Sequence, residues 1–386
     1  MKLLYVTNIP APYRNKRFNT MQEIFPELGI EFEVLYMAWK EPNRFWELDL
    51  NDFKYKYKVY KGIHPVIGKM FAHFNPGLFL RLLKADYDAV IIGGMGSPSH
   101  WIAPFFVSPK KLKILSVETN LHSTSRKKGL ALKFKNFLTK QYNAYQITGE
   151  SSKQYINWLH EESKNLPFIT LPNLVDENVF SLKVNEARKE KDLIRKSFGL
   201  NEKTQLWICP ARLEKIKGLH TFIPLIKGIK NIKLFIIGEG SLKEELTSII
   251  QKENLPVELL GFKQQGDMVK LYAAADLFVL PSLSDPSPLS PIEAIAAGLP
   301  VLVSERIGNF NDVLQIKKNG WGFDPAGDPE VIKNLLNLIA GIPIPQLTEM
   351  GRVSYQQYNL KFENRTCIKA FGMRLLDLMK DKKNNH

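Results

Sequence analysis

Cysteine is scarce in this sequence, because 386 residues contain only Cys209 and Cys367. Two isolated cysteines provide neither a zinc-binding spacing nor a disulfide framework, so they exclude a small cross-linked domain and favour a reducing compartment. No stretch reaches the roughly 18–20 uninterrupted apolar residues that a membrane span needs. The short apolar run at the N-terminus predicts a first strand and no signal peptide. We therefore expect a cytoplasmic protein whose two thiols lie in or near the core.

Acidic residues are outnumbered, and 53 Lys and Arg against 39 Asp and Glu give a net charge of +14. This excess favours an anionic partner, such as a nucleotide phosphate, nucleic acid or an acidic membrane surface. No nucleic-acid-binding motif accompanies it. The clearest basic segment contains one acid, Glu118, and nine cations: Lys110, Lys111, Lys113, Arg126, Lys127, Lys128, Lys133, Lys135 and Lys140. With Leu130, Phe134 and Phe137 it predicts either a peripheral contact with the inner face of a membrane or a solvated helix whose apolar residues face the core.

Strands and helices alternate along both halves of the chain. Apolar runs such as Ala89–Ile92 and Lys233–Ile237 predict buried strands, and amphipathic stretches between them predict helices of about ten residues. This order is typical of parallel βαβ units. The stretch Phe45–Tyr60 is predicted to be irregular or an edge hairpin. A charged segment after Phe180 predicts a boundary, so we expect an α/β protein with two doubly wound domains, residues 1–180 and 181–359.

The stretch Leu280–Asn309 organises the second half. A predicted strand, Ala275–Leu280, leads into a Pro/Ser loop that carries Asp285, and a helix with Pro291 in its first turn follows. Its N-terminus provides backbone N–H groups that suit a phosphate, and Asp285 and Glu293 on either side suit sugar hydroxyls. We interpret the stretch as a nucleotide-sugar site. Taken alone, the acid pair is more typical of a structural arrangement, in which Asp285 ends a turn and Glu293 is a solvated residue of the first helical turn.

Three further loops of the second half follow predicted strands, at the edge where open α/β sheets bind ligands. The first carries Arg212 and Lys217, two cations that suit a diphosphate. The second carries Gly238 and Gly240, which allow a close approach of the backbone to a ligand. In the third loop, Phe262 offers an aromatic face to a base. Any one of these loops is more often structural, but four of them in one domain favour a binding site.

The order ARLEKIKG, LFIIGEGS, LLGF and ADLFVLPSLSDPSPLSPIEAIAAGLPVLVS resembles the donor domain of the retaining GT-B glycosyltransferases of family four, the group 1 type. The resemblance is strong over Trp207–Phe323 and covers the first half only by layout. The segment PNLVDENVF also resembles that family's signature before the linker between its domains. The resemblance implies two Rossmann-like domains facing across a cleft, a C-terminal helix over residues 360–386 that crosses back to the first domain, and no metal or other cofactor.

The resemblance implies a role for each charged position. Arg212 and Lys217 would bind the diphosphate of a UDP- or GDP-linked donor and stabilise its charge as it leaves. Glu293 would bind the ribose hydroxyls. Asp285 stands where the family usually has Glu, and it would contact the donor sugar with a side chain that is shorter by one methylene.

The Pro/Ser loop would contribute backbone N–H groups to phosphate from Ser287, Leu289 and Ser290, whereas Pro288 has none to donate. The resemblance further implies retention of the anomeric configuration. In such a reaction the acceptor attacks from the face of the leaving group, and the departing phosphate oxygen helps to deprotonate it.

The first half departs from the family pattern. The loop after the first strand reads NIPAPYR, where many members have a Gly-rich loop. Many members also have a histidine after a middle strand, near the reacting carbon. In SVETNLH, Glu118 occupies that position, with Asn120 and His122 nearby. We therefore expect Glu118 to be the polar catalytic residue of this half.

These observations predict a glycosyltransferase whose acceptor is a hydroxyl of a lipid-linked, surface-polysaccharide or lipopolysaccharide precursor. One alternative is a sugar-nucleotide epimerase of the same fold, which would bind the donor and need no acceptor. Another is a catalytically silent partner subunit, for which the altered Asp285, the missing Gly-rich loop and the missing histidine would be the signature. A dehydrogenase is disfavoured because no GxGxxG follows the first strand.

Overall fold

The computed structural model describes residues 1–41, 49–67, 70–124 and 128–384. The chain forms two compact units. The first consists of Met1–Leu174 together with Asn364–His386, and the second is Val175–Glu363. Their boundaries lie a few residues from the positions 180/181 and 359/360 expected from the sequence. Within the described residues, no helix is both long and apolar enough to cross a bilayer.

A parallel sheet forms the centre of the first unit. The strands of this unit are β1 (Lys2–Thr7), β2 (Glu31–Tyr36), β3 (Tyr57–Val59), β4 (Val66–Ile67), β5 (Met70–Phe71), β6 (Ala89–Ile92), β7 (Leu112–Val117), β8 (Ala144–Ile147) and β9 (Phe168–Thr170). Seven of them form the sheet, in the order β3-β2-β1-β6-β7-β8-β9, and β4 and β5 form a separate antiparallel pair. Because β3 pairs in parallel with β2, the described part of the stretch to Tyr60 contains a parallel edge strand and no hairpin. Residues 42–48 of that stretch lie outside the described residues.

Helices cover both faces of this sheet. They are α1 (Pro12–Ile24), α2 (Pro76–Leu83), α3 (Pro98–Ile102), α4 (Leu130–Thr139) and α5 (Glu150–Leu159). The first three begin at a proline, whose fixed φ suits the first helical position and whose missing N–H costs nothing there. Alternate residues of β1 enter two separate cores, Leu3 and Tyr5 on one face and Leu4 and Val6 on the other. The strand is therefore buried on both sides, as expected for a doubly wound sheet.

The second unit has the same construction. Its strands are β10 (Gln205–Pro210), β11 (Ile232–Ile237), β12 (Val257–Gly261), β13 (Leu277–Leu280), β14 (Val301–Ser304) and β15 (Gly320–Phe323). Its helices are α6 (Val184–Arg188), α7 (Lys191–Ser197), α8 (Leu219–Phe222), α9 (Lys243–Lys252), α10 (Gln265–Ala274), α11 (Ser290–Ala296), α12 (Phe310–Val313), α13 (Pro329–Ala340) and α14 (Ile344–Lys361). The strand order is β12-β11-β10-β13-β14-β15, and all neighbours are parallel. The predicted α/β fold class with two doubly wound, Rossmann-like units is confirmed.

The last helix, α15 (Asn364–Asn384), belongs to the first unit. It packs against α1 and the short turn Phe25–Leu28. The ring of Phe371 stacks on that of Phe25 with 6.4 Å between centroids. A Cβ at Gly372 would lie 2.7 Å from a methyl carbon of Leu28, so the absence of a side chain there allows the helix to approach the turn.

Candidate functional site

The strand order of the second unit reverses between β10 and β13. The sheet continues from β10 through β11 to β12 on one side, and from β13 through β14 to β15 on the other. Open α/β sheets bind ligands at the carboxyl ends of the strands, beside such a reversal. The loops that follow β10 and β13 carry Arg212, Lys217 and Asp285. Three of the predicted site residues therefore lie at the position where this fold binds ligands.

Lys217 and Asp285 form an ion pair across the reversal. Their side chains are only 13% and 14% exposed, so both charges are largely removed from water. The backbones of the two loops are also joined, because the N–H of Leu283 donates to the carbonyl of Ile216 at 2.9 Å. The fold thus brings together a cation and an acid that are 68 residues apart in the sequence.

Gly218 allows these loops to lie so close together. Its φ of +70° is in the left-handed region, and a Cβ at this position would collide with the carbonyl oxygen of Pro281. Only glycine avoids both the strain and the collision. Gly218 directly follows Lys217, so this close contact lies beside the ion pair.

The two glycines of the loop after β11 pack against the loop after β10. A Cβ at Gly238 would collide with the carbonyl oxygen of Ala211, and one at Gly240 would lie 2.5 Å from that of Leu213. The N–H of Leu213 donates to the carbonyl of Glu239 at 3.0 Å. Both glycines are therefore needed for the contact between two protein loops. The approach to a ligand, which the sequence predicts for them, stays a prediction.

Arg212 and Phe262 are both exposed at this edge of the sheet. The side chain of Arg212 makes no hydrogen bond or ion pair with any described residue. Phe262 follows β12 and is 69% exposed. Neither side chain is needed for packing, and both are available to a ligand.

Glu293 lies in the first turn of α11 and is bound by a tyrosine of α10. The hydroxyl of Tyr272 donates to Oε2 of Glu293 at 2.9 Å, and Tyr272 itself is fully buried. Burial raises the pKa of Glu293 to about 7, while the hydrogen bond from Tyr272 acts in the opposite direction. The Oε1 atom has no partner among the described residues. The carboxyl group is thus fixed through one oxygen and titrates near neutral pH.

The Pro/Ser loop is held by a residue from the other side of β14. Asn309 is buried, and its Nδ2 donates to the carbonyl of Pro288 at 2.8 Å. Ser287 and Leu289 lie on either side of Pro288, and Ser290 begins α11. The predicted phosphate-binding backbone therefore has a fixed shape, although its contact with phosphate stays a prediction.

Glu118 belongs to the first unit, where it lines a cavity of about 270 Å³. The cavity lies where the strand order of this unit reverses, between β1 and β6, and its charged lining residues are Arg14, Arg17, Glu118 and Lys135. Asn120 is buried in the turn that follows, and its Oδ1 accepts the N–H of Ser123 at 2.7 Å. His122 is exposed and does not line the cavity. Of the polar residues expected after β7, Glu118 alone faces this space.

Residues 190–354 match the family model of the glycosyl transferases group 1. The second unit is a group 1 glycosyltransferase domain. An uncharacterized glycosyltransferase of Methanocaldococcus jannaschii is 31% identical over 148 residues, 37% of this chain and 38% of that protein. The UDP-Gal:alpha-D-GlcNAc-diphosphoundecaprenol alpha-1,3-galactosyltransferase of Escherichia coli is 33% identical over 146 residues, 36% of this chain and 37% of that protein. The chain thus spans less than two thirds of the length of these curated relatives.

Solved structures share the fold of nearly the whole chain. HepE of Anabaena, determined in complex with UDP, superimposes with a TM-score of 0.73 at 17% identity, over 98% of this chain and 100% of that one. The same protein has also been solved with UDP-glucose. At this identity the likeness shows the fold alone. Together with the family match, it confirms the predicted resemblance to the GT-B glycosyltransferases of group 1.

Two residues of this group 1 domain were not predicted from the sequence, Tyr272 and Asn309. Tyr272 lies beside Leu271, Ala273 and Ala274 in the apolar last turn of its helix. A buried tyrosine hydroxyl needs a hydrogen-bond partner, and this is the signal that could have identified it. Asn309 had no signal of this kind, because its role depends on a loop 21 residues away. Within the described residues, no cluster of three or more His, Cys, Asp or Glu is arranged to hold a metal ion.

Proposed function

We propose that this group 1 glycosyltransferase transfers a sugar from a UDP- or GDP-linked donor to a hydroxyl acceptor, with retention of configuration and without a metal. The Lys217–Asp285 pair at the strand-order reversal carries the proposal. A diphosphate leaving group needs positive charge, and a sugar needs oxygen atoms that accept its hydroxyls. The pair supplies both at the ligand-binding edge of the sheet. The complexes of HepE with UDP and UDP-glucose support a nucleotide-sugar ligand for this fold.

Two cations serve the diphosphate in this proposal. Lys217 is shared between the phosphate and Asp285, and Arg212, whose side chain has no partner among the described residues, provides a second charge. Their positive charge stabilises the diphosphate as its bond to the sugar breaks, when negative charge develops on the leaving oxygen. A carboxylate oxygen of Asp285 accepts a hydroxyl of the donor sugar.

Glu293 binds the ribose of the donor in this proposal. Its Oε2 is occupied by the Tyr272 hydroxyl, and Oε1 accepts a ribose hydroxyl. Because Tyr272 is buried and cannot move away, it fixes the direction in which Oε1 points. Tyr272 is therefore a positioning residue for the ribose contact.

The acceptor is a lipid-linked or surface-polysaccharide precursor, and Glu118 contacts it in the first unit. The E. coli relative, a galactosyltransferase that acts on a diphosphoundecaprenol-linked sugar, supports an acceptor of this kind. The cavity beside Glu118 provides room for part of such a molecule.

A peripheral contact with the inner face of an anionic membrane accompanies this acceptor. On α4, Leu130 is 84% exposed, Phe134 43% and Phe137 51%, so these side chains do not fill the core. Lys128 and Lys133 beside them are exposed too, whereas Arg126 and Lys127 lie outside the described residues. Apolar and basic side chains on one surface suit the headgroup region of an anionic bilayer.

Liposome sedimentation tests the membrane contact. We expect the double substitution Leu130→Ser and Phe134→Ser to lower binding to vesicles that contain anionic lipid. The control is Leu338→Ser, since Leu338 is 59% exposed in the second unit and equally apolar. Equal binding of both variants and the wild type would refute the contact.

A thermal-shift screen tests the transferase proposal. UDP, GDP, ADP and CMP, each with its sugars, are added to the wild type, to Lys217→Met and to Lys252→Met, a control whose exposed lysine ends α9. A ligand that binds only the folded chain stabilises it by about 2.7 kcal/mol at a hundredfold excess over Kd. We expect one nucleotide class to raise the melting temperature of the wild type and the control, and to fail with Lys217→Met.

The structure of the reaction product then shows whether the sugar is transferred with retention of configuration. With the nucleotide sugar so identified and a polyprenyl-linked acceptor, we expect a glycosidic bond with the anomeric configuration of the donor, seen by NMR, at a rate that EDTA leaves unchanged. Absence of a shift with every nucleotide would contradict the donor site. A product of inverted configuration would contradict the retaining reaction.

A further inference from the structure

The cavity of the first unit is built at its strand-order reversal. The strands on either side, β1 and β6, are hydrogen-bonded neighbours, and the loop after β6 supplies Gly93 and Gly94 to the lining. A Cβ at Gly93 would lie 2.8 Å from the carbonyl oxygen of Val6, and Gly94 has a φ of +109°. The volume of about 270 Å³ is close to the lower end of the roughly 300–1,000 Å³ of small-molecule sites. The geometry is therefore that of a ligand site.

Positive charge dominates the lining. Arg14, Arg17 and Lys135 face the cavity with one carboxylate, Glu118. The guanidinium of Arg14 is fixed by hydrogen bonds to Oγ1 of Thr7 at 3.0 Å and to Oδ1 of Asn8 at 2.7 Å. Three cations and one acid line this space, and a lining with more positive than negative side chains favours an anion such as a phosphate.

Arg17 is the residue that needs an anion most. It is only 5% exposed, and its one hydrogen bond to a described residue, the Tyr5 hydroxyl, is 3.4 Å long. Its Nε is buried without a partner, and no carboxylate among the described residues pairs with it. Its Cζ lies 5.3 Å from the ring centroid of Phe18 and 5.7 Å from that of Tyr5. Two aromatic faces offset only part of the cost of burying a charge.

The second unit shows how this chain normally buries an arginine. Arg195 is equally buried at 5%, but it donates to Oδ2 of Asp276 at 2.7 Å and to the carbonyl of Ala274 at 3.1 Å. A buried charge of this kind is retained because it is paired. Arg17 lines a cavity, and no carboxylate in the described part of the chain pairs with it in this way.

We propose that this cavity binds the phosphoryl group of the acceptor, with the Arg17 guanidinium and the Lys135 ammonium as its principal ligands. The assignment to the acceptor rests on the proposed glycosyltransferase function, whereas phosphate binding itself does not. Arginine suits this task because its planar fork gives two parallel hydrogen bonds to a phosphate. Glu118 lies in the same cavity, where it can accept a hydroxyl of the bound acceptor.

Titration calorimetry with inorganic phosphate at constant ionic strength tests the site. The wild type is compared with Arg17→Gln, Lys135→Gln and Lys84→Gln, a control that replaces an exposed lysine at the end of α2. We expect a loss of roughly tenfold or more in affinity for Arg17→Gln, a smaller loss for Lys135→Gln and none for the control. Circular dichroism reports whether Arg17→Gln folds. If it does not, Lys135→Gln decides, since the partly exposed Lys135 is not needed for the core.

Two further binding experiments distinguish a soluble phosphorylated acceptor from a lipid-borne one. Binding of glycerol 2-phosphate that requires Arg17 indicates a soluble acceptor, and binding of phosphatidic acid vesicles that requires Arg17 indicates a lipid-borne one. Equal affinity of all variants for phosphate would overturn the inference. So would an acetate affinity equal to that for phosphate, or displacement of phosphate by UDP.

UDP binding separates this inference from the donor site. We expect Arg17→Gln to bind UDP as the wild type does. If phosphate binds in an Arg17-dependent way and no nucleotide binds at all, the transferase proposal fails and the phosphate site stands.

Discussion

Donor affinity should depend on the protonation of Glu293. Burial raises the pKa of this carboxyl group to about 7, so about one tenth is ionised at pH 6 and about nine tenths at pH 8. A carboxylate accepts a ribose hydroxyl more strongly than a neutral carboxyl does, since hydrogen bonds to charged groups are worth roughly twice those between neutral ones. We expect Kd for the nucleotide sugar to fall by up to about tenfold between pH 6 and pH 8. The nucleotide sugar is the right probe, because its diphosphate is esterified at both ends and does not titrate in this range.

The same shift makes a prediction for stability. A carboxyl group whose pKa is raised on folding keeps its proton after the unfolded chain has lost it, so the unfolded chain binds fewer protons as pH rises. The Glu293 contribution is therefore fully present below about pH 4.5, the ordinary pKa, and is lost as pH approaches 7. A shift of this size corresponds to at most roughly 3 kcal/mol.

The substitution Glu293→Gln tests both the predicted pH dependence of donor affinity and that of stability. The amide keeps an oxygen for Tyr272 but cannot titrate, so calorimetry should show a donor affinity that is independent of pH. Urea unfolding should show that the variant gains stability relative to the wild type when the pH is raised from 5 to 8. The reasoning is wrong if Glu293→Gln retains the pH dependence of the wild type, or if the wild type shows none.

Three further predictions concern the packing of the chain. Gly218→Ala and Gly228→Ala both place a side chain at positive φ, which costs about 1–2 kcal/mol, but only at Gly218 does the new Cβ collide with backbone. We therefore expect a larger fall in melting temperature for Gly218→Ala, together with a loss of nucleotide binding. Equal falls in melting temperature for the two variants would contradict the collision. Asp276→Ala leaves two cations without their buried partner and should lower the urea-derived stability by about 3–5 kcal/mol, whereas a loss below 1 kcal/mol would show that solvent replaces it. Burial raises the pKa of Cys209 to about 12, whereas Cys367 is only partly buried. At pH 8 a thiol reagent should therefore label Cys367 quickly and Cys209 only after unfolding. Mass spectrometry of the labelled peptides checks this.

The sequence predicted those parts of the site that depend on local patterns. The strand before the Pro/Ser loop, the loop itself and the helix with Glu293 in its first turn lie where the alternation of apolar runs, prolines and glycines indicated. Such signals act over a few residues. The parallel sheets also followed, because strands that alternate with helices leave few other arrangements.

Contacts between segments that are distant in the chain could not be predicted from the sequence. The pairing of Lys217 with Asp285 requires β10 and β13 to be neighbours, and the strand order is not encoded in any one stretch. For the same reason the sequence did not show that Gly238 also packs closely against a neighbouring protein loop. Its contact with a ligand stays a prediction. No element was predicted between β14 and α15, yet Ile332, Leu336 and Ile339 have helical spacing and are buried in α13.

The first unit is discontinuous in sequence, which has a consequence for its synthesis. Its core includes Ile368, Phe371 and Leu375 of α15, but 189 residues, Val175–Glu363, intervene. At about 5–20 residues per second, a ribosome needs roughly 10–40 s to make them. During that time the second unit is continuous and can complete its own core, while Phe25 and its neighbours in the first still lack their covering helix. The unit that begins first is therefore the last to be finished, and nascent chains stalled before residue 364 should expose its apolar surface to chaperones.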